Sequence, residues 1–324
     1  MDSLLIGRLG AVGDGLLLAP ALASLRAAYP HARIDVTGFV WRLRLLEGPA
    51  LASSVRPLDD LFIGESVNVP VLDAYDRIEL FAVDPEAPVV RAIVDAVPQR
   101  AAGYPSFPIT TASAVHVADH VHRSLSHLGI PAAADRRFTL PLAATTRRLA
   151  DPFLSTTADG RPRAYLAPGT RIDTKRWPAP RFAALAGELL ARGWQVYLGC
   201  GPVDGDVYDA VSQAIGPLPV VPAIGQDLLT TAALLARMQL CVGVDSGITH
   251  LAAMVGTPTI SLYGPTRPEL WGPIGPALRV MRKPSGLACC DDDHPRRCQG
   301  GCMNRIDVSD VLAAIAQLVD DGRG

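Results

Sequence analysis

Apolar positions along this chain follow two habits: short unbroken runs of four or five bounded by Gly or Pro, and longer stretches where they recur every three or four residues. The first habit reads as strands buried on both faces, the second as amphipathic helices, and their alternation marks a parallel α/β protein. Residues 3–7 form the first such strand and 33–37 the second. Between them lies a helix from about 16 to 29, in which Leu17, Leu18, Ala21, Leu22 and Leu25 fall at helical spacing before Pro30 ends it. The rhythm continues with a strand over 76–82, a helix over 89–97, a short strand over 101–104 and a helix from about 114 to 128. From 131 to 162 it lapses into Ala, Thr and Arg with scattered Pro, which suits a linker. A domain boundary is therefore expected near 155, dividing the chain into 1–155 and 156–324. Beyond it, strands at 164–167, 195–198, 220–222, 240–244 and 259–263 alternate with helices at 181–192, 203–215, 228–238 and 246–255, and a last helix covers 309–319. The expected fold class is α/β, with two Rossmann-like doubly wound domains facing each other across a cleft.

Composition narrows the class without naming an activity. At 324 residues, 49% hydrophobic and 19% charged, the chain suits a soluble globular protein with two cores. Thirty Lys and Arg stand against thirty-two Asp and Glu, so no global basic field points to nucleic acid, and membrane contact is expected to be peripheral at most. Met1-Asp2-Ser3 leads into an apolar strand with no basic leader, and no apolar run approaches ~18 residues, which makes the cytoplasm the expected compartment. Cys200 and Cys241 sit in apolar strands, as reduced thiols do there.

Candidate chemistry concentrates at two turns. From 242 to 266 the chain reads V-G-V-D-S-G-I-T-H-L-A-A-M-V-G-T-P-T-I-S-L-Y-G-P-T, a strand, a short helix and a second strand. Ser246 can cap the helix, and Gly256 before Thr257-Pro258 stops it. A helix start offers unpaired N–H groups and partial positive charge, so Asp245-Ser246-Gly247-Ile248-Thr249-His250 describes an anion seat suited to diphosphate. The other turn follows the first strand, Gly7-Arg8-Leu9-Gly10-Ala11-Val12-Gly13-Asp14-Gly15. It lacks the G-x-G-x-x-G spacing of a dinucleotide site, and Asp14 would face any pyrophosphate held there, which argues against a nicotinamide cofactor.

Three further features have competing structural readings. His116, His120 and His127, with His122, lie on one expected helix, where histidines four apart can bind metal. No H-E-x-x-H accompanies them, which favours partly exposed or acceptor-facing histidines. Lys175-Arg176 precedes a helix start, where idle positive charge opposes the dipole and an anion between them does not. Trp177-Pro178 reads as the start of that helix, with a sugar platform as the alternative.

With R-L-G-A-V-G-D in the first turn, A-P-G-T-R-x-D-T-K-R-W-P opening the second half, D-S-G-I-T-H-L-A-A with Y-G-P-T, and C-M-x-x-I near the end, the chain resembles the ADP-heptose heptosyltransferases of glycosyltransferase family 9, which have the GT-B fold. The resemblance implies an inverting, metal-independent transfer of a heptose or related sugar from an ADP-sugar to an acceptor hydroxyl. The donor would lie in the C-terminal domain and the acceptor in the N-terminal one, with no cofactor. It implies Asp14 as the base, with Gly13 and Gly15 on the acceptor side. Thr170, Thr174, Lys175, Asp245, Ser246, Gly247, Ile248, Thr249 and His250 would bind the donor, His250 either reaching phosphate or bracing its loop. A lipopolysaccharide inner-core acceptor is expected, with a protein or small molecule as alternatives. Residues 1–150 hold nearly balanced Arg and acidic residues and no Lys, leaving Arg42, Arg44, Arg136 and Arg137 as the ones that can cluster. Competing readings are a nucleotide-sugar epimerase on the same fold and a non-catalytic nucleotide-sugar binding protein. Cys289, Cys290, Cys298 and Cys302 lack a C-x2-C pair; a structural zinc or iron site, reduced thiols and a disulfide all remain readings of that cluster.

Overall fold

The computed structural model describes residues 1–108, 115–131, 137–154, 160–201, 204–283, 298 and 301–321. Its contacts divide the chain into two compact units, Met1–Asp135 and Arg136–Gly324.

The first unit is built on a five-stranded parallel sheet of β1 (Ser3–Arg8), β2 (Arg33–Gly38), β3 (Ser54–Pro57), β4 (Arg77–Ala82) and β5 (Ala101–Pro105), in the order β3-β2-β1-β4-β5. Leu4, Leu5 and Ile6 have no exposed surface, as a central strand covered on both faces requires. The helix expected from 16 to 29 is two pieces, α1 (Val12–Leu16) and α2 (Ala19–Ala28). Pro20 sits in the first turn of α2, where its missing N–H costs no helical hydrogen bond. A short α3 (Val40–Leu43) follows β2, α4 (Pro88–Ala96) lies between β4 and β5, and α5 (Val117–Ser124) follows β5. Leu5, Tyr75, Ile78, Leu80, Val90 and Ile93 close one core layer between the sheet and α4.

The second unit repeats the plan with six parallel strands: β6 (Arg163–Ala167), β7 (Gln195–Leu198), β8 (Val221–Pro222), β9 (Leu240–Val244), β10 (Thr259–Tyr263) and β11 (Leu278–Arg282). Their order is β8-β7-β6-β9-β10-β11. Helices α6 (Ala179–Ala191), α7 (Gly205–Ile215), α8 (Leu228–Leu235), α9 (Gly247–Met254) and α10 (Val308–Asp321) connect or cover the strands. Leu166, Phe182, Leu185, Val196, Val242, Ile260 and Leu262 share one core cluster with Ile306, Val311 and Ile315 from the end of the chain.

Residues 137–154 correct the expected linker. Short helical turns at Ala144–Arg147, Arg148–Ala150 and Asp151–Leu154 pack beside α8. The Leu140 amide bonds Met254 O at 2.7 Å, and Asp151 pairs with Arg237 at 3.0 Å. These contacts place the division at 135/136, ahead of 155. The histidine helix is also shorter than expected, and two of its histidines are buried. His116 caps α5 by accepting the Ala118 amide at 3.2 Å, while His122 bonds Pro131 O from a site 2% exposed. His120 bonds Pro105 O at 2.9 Å and His127 meets Glu79 at 3.0 Å, so their partners are protein groups. Among the described residues no helix is long and apolar enough to cross a membrane.

Candidate active site

Open parallel sheets bind ligands at the carboxyl ends of the strands where the strand order reverses, because the loops there diverge to opposite faces. In the second unit that point lies between β6 and β9, and the two turns singled out in its sequence follow those strands. Lys175, on the loop after β6, and Asp245, directly after β9, form an ion pair of 2.6 Å with side chains 13% and 8% exposed. Both belong to the expected donor set. The structure adds that each is the other's partner.

Helix α9 rises beside this pair. Ser246 is its N-cap, but its hydroxyl does not cap an amide: Oγ lies 3.3 Å from Thr249 Oγ1, and Thr249 donates to Val244 O at 2.6 Å. The Ser246 carbonyl instead accepts the amides of Thr249 and His250 at 3.1 and 3.2 Å. The amides of Gly247 and Ile248 have no partner among the described residues, leaving two donors at the positive end of the helix. Thr249 and His250 are buried, and the Thr249 hydroxyl ties the first turn of α9 back to the end of β9. Gly243 permits this packing, since a Cβ there would lie 2.3 Å from Thr249 Oγ1.

Thr170 is 7% exposed, and its hydroxyl accepts the Ile172 amide at 3.4 Å; Thr174 is half-buried on the same loop. Arg176 is held by Asp173 at 3.2 Å and Asp206 at 2.9 Å, so Lys175 alone of the basic pair turns to the seat. Trp177 is a structural helix start, 2% exposed, edge-on to Phe182 and donating to Ile306 O at 2.9 Å. Arg181 bonds the same carbonyl and pairs with Asp307 at 2.9 Å. The C-M-x-x-I segment thus anchors the start of α6, with Met303 against Gly264.

Two buried polar groups at this edge escaped the sequence reading. Asp204, after β7, lies where a Cβ on Gly169 or Gly201 would meet its Oδ2 at 2.7 or 2.9 Å, and its Oδ1 has no hydrogen-bond partner among the described residues. Burial pushes its pKa up, against the Gly201 amide and Arg171. A carboxylate among three glycines was the available signal. Thr266 Oγ1, two residues beyond Gly264 in Y-G-P-T, is likewise buried without a partner. Tyr263 is wholly buried; burial first and the Asp245 charge second hold its phenol well above the usual range.

In the first unit the order reverses between β1 and β4, and the turn after β1 carries Asp14. Its Oδ2 accepts the Ala11 amide at 2.7 Å, which closes the start of α1, and its side chain is 25% exposed. Gly10 makes room, because a Cβ there would lie 2.6 Å from that carboxylate. Gly13 O accepts the Leu17 amide at 3.0 Å, and Gly15 is buried against Leu43. Arg42 Nη1 bonds Gly10 O at 2.6 Å while its guanidinium lies 4.3 and 4.8 Å from the ring centres of Phe39 and Trp41. Both aromatics are half exposed, another feature that periodicity did not reveal.

Cys298 and Cys302 stand 4.0 Å apart at Sγ, too far for a disulfide bond. Cys289 and Cys290 lie outside the described residues, and among the described residues no group of three or more metal-ligating side chains assembles.

With two sheets of this strand order the chain has the GT-B fold of solved heptosyltransferases. The chain belongs to glycosyltransferase family 9 (heptosyltransferase), whose family model matches residues 114–297. It is 35% identical over 117 residues to lipopolysaccharide heptosyltransferase 1 of Pseudomonas aeruginosa, covering 36% of this chain and 32% of that protein. Such alignments span about a third of the length of the relatives matched. Over the whole fold it is similar to a family 9 glycosyl transferase from Veillonella parvula, with a TM-score of 0.76, 21% identity and coverage of 99% and 97% of the two chains. The Escherichia coli ADP-heptose lps heptosyltransferase II gives a TM-score of 0.72 at 20% identity, with both chains fully covered.

Proposed function

We propose that this chain is an inverting, metal-independent heptosyltransferase, moving a heptose or closely related sugar from an ADP-sugar to a hydroxyl of the lipopolysaccharide inner core, in the cytoplasm. The observation that carries the reading is the seat at the β6/β9 switch point, where Lys175 pairs with Asp245 just ahead of the open amides of Gly247 and Ile248. A departing diphosphate needs its charge met, and a fixed cation with a helix start meets it without a bound metal. On donor binding the diphosphate takes Lys175 over from Asp245, and the released carboxylate accepts hydrogen bonds from sugar hydroxyls. Thr170, Thr174 and Ser246 supply hydroxyls to the same phosphates, and Thr249 and His250 hold the seat's shape.

Asp14 is the base. It removes the acceptor hydroxyl proton as that oxygen bonds the anomeric carbon and the bond from that carbon to ADP breaks, inverting the centre. Gly13 keeps one flank of the carboxylate clear for the acceptor, whereas Gly15, expected on the acceptor side, is taken up by packing against Leu43. The relatives' names supply the donor and acceptor classes.

The test is purified protein with ADP-heptose and heptose-free inner-core lipopolysaccharide, followed by mass spectrometry. One added heptose and one released ADP are expected, with thermal stabilisation by ADP and none by UDP. Stabilisation by UDP alone, or donor consumption without an acceptor product, overturns the reading. Asp14→Asn should cut turnover by roughly 10²-fold or more with donor affinity unchanged. Retained turnover in that variant removes Asp14 from the role.

A further inference from the structure

Arg8 ends β1 with a side chain that has no exposed surface. Arginine is almost never buried so completely without partners that use its charge and its planar fork. Here Nε donates to Asp14 O at 3.0 Å and Nη1 to Ser106 O at 3.2 Å, while the guanidinium lies 5.9 Å from the centre of the Phe81 ring. The remaining nitrogen, Nη2, makes no hydrogen bond and stands 3.8 Å from Asp14 Oδ1.

That arrangement makes the two oxygens of Asp14 unequal. Oδ2 is committed to the Ala11 amide at 2.7 Å. Oδ1 faces Arg8 across a gap slightly too long for a hydrogen bond, and it is the oxygen left to receive a proton. Arg8 also holds the peptide carbonyl of the same residue, so backbone and carboxylate of Asp14 are referred to one rigid group sunk in the sheet. Burial lowers the Arg8 pKa and Asp14 opposes that shift, as for a cation kept in the interior by this carboxylate. Around the pair, Arg42 from α3 holds Gly10 O, and His120 from α5 lies within the field of Arg8 and Arg123.

We propose that Arg8 is the positioning residue of the catalytic turn, acting through Asp14 by fixing its backbone oxygen and aiming Oδ1 at the acceptor. The proposal rests on Asp14 being the base. A salt bridge serving stability alone would engage Oδ1 directly; this one secures the main chain and leaves the reactive oxygen unbonded.

The test compares Arg8→Gln, Arg8→Lys, Asp14→Asn and the Arg8→Gln/Asp14→Asn double variant, with ADP-heptose and heptose-free inner-core lipopolysaccharide. Arg8→Gln should lower kcat by roughly tenfold to a hundredfold while donor KM and ADP affinity stay within about twofold, the signature of a misplaced base and not of a damaged donor site. Arg8→Lys keeps the charge without the fork and should recover part of that loss. The double variant should be no slower than Asp14→Asn, because a residue acting through Asp14 has nothing left to act on. Wild-type kcat in a folded Arg8→Gln, or additive losses in the double variant, overturns the proposal. Should Arg8→Gln fail to fold, Arg8→Lys decides: reduced kcat at unchanged KM supports the role, and wild-type kcat overturns it. Full turnover in Asp14→Asn instead marks failure of the base assignment itself.

Discussion

Lys175 and Asp245 hold each other at 2.6 Å in the seat proposed for the donor's diphosphate, where anion and carboxylate would compete for one ammonium. Lys175→Ala should weaken ADP binding by about 1.5–3 kcal/mol, the range of a charge-assisted hydrogen bond lost at a partly buried site. Asp245→Asn should act the other way on ADP, tightening it by on the order of 1 kcal/mol by freeing Lys175, while slowing sugar transfer. Isothermal titration of both variants with ADP checks this; equal weakening in both would refute the competition. Each residue was singled out in the sequence as an expected donor contact, through the turn after a strand. Their pairing was not, because only the β6/β9 adjacency joins two loops that lie far apart in the chain. Asp204 was missed for a related reason: the glycines near it in the chain are a weak signal by themselves, and its packing against Gly169 comes from a neighbouring strand's loop.

The strand, helix and strand from 240 to 263 were readable nearly to the residue, since apolar runs, a small residue at the turn and Gly256 all agree. Their packing explains the glycine inside β9. A Cβ on Gly243 would lie 2.3 Å from Thr249 Oγ1 and 3.1 Å from Ala167 O, and Thr249 cannot swing away without leaving Val244 O. Gly243→Ala should therefore destabilise the protein by about 1–3 kcal/mol and tilt the first turn of α9, weakening ADP binding as well. Gly205→Ala is the control: nothing lies within 4 Å of its Cβ at the start of α7, and the change should be neutral or stabilise by up to about 1 kcal/mol. Urea unfolding of both variants checks the contrast. The elements that periodicity mispredicted lack such agreement. The helix expected from 16 breaks ahead of Pro20, and 137–154 reads as linker because its helical turns are too short to show a repeat.

For the molecule as a whole, the two parallel sheets follow from the buried strands, and the strands missed are the edges. β3 and β11 are partly exposed along almost their whole length and carry arginines, so no apolar run announces them. Because each unit has its own sheet, acid should act on the two separately, and in opposite directions. In the first unit His120 is held neutral, its pKa lowered chiefly by burial and further by Arg8 and Arg123, against the Pro105 carbonyl. Its stabilising effect is complete above the unfolded value of about 6.5 and is lost as pH falls from there to the lower folded value. In the second unit Asp204 has its pKa raised by burial, so its ionised form opposes folding at neutral pH. That penalty is relieved as pH falls through the raised folded value toward the unfolded value of about 3.9. Asp76 and Asp310, held below the usual range by backbone amides and Lys283, give up their contributions only under stronger acid, below about 3.9. Calorimetry between about pH 7 and about pH 4 should show the first unit's transition moving down and the second unit's moving up. His120→Gln should flatten the first dependence and Asp204→Asn the second, with Asp204→Asn also raising the second unit's melting temperature at neutral pH. A parallel fall of both transitions in mild acid, unaltered by either substitution, would show that neither buried group sets the response.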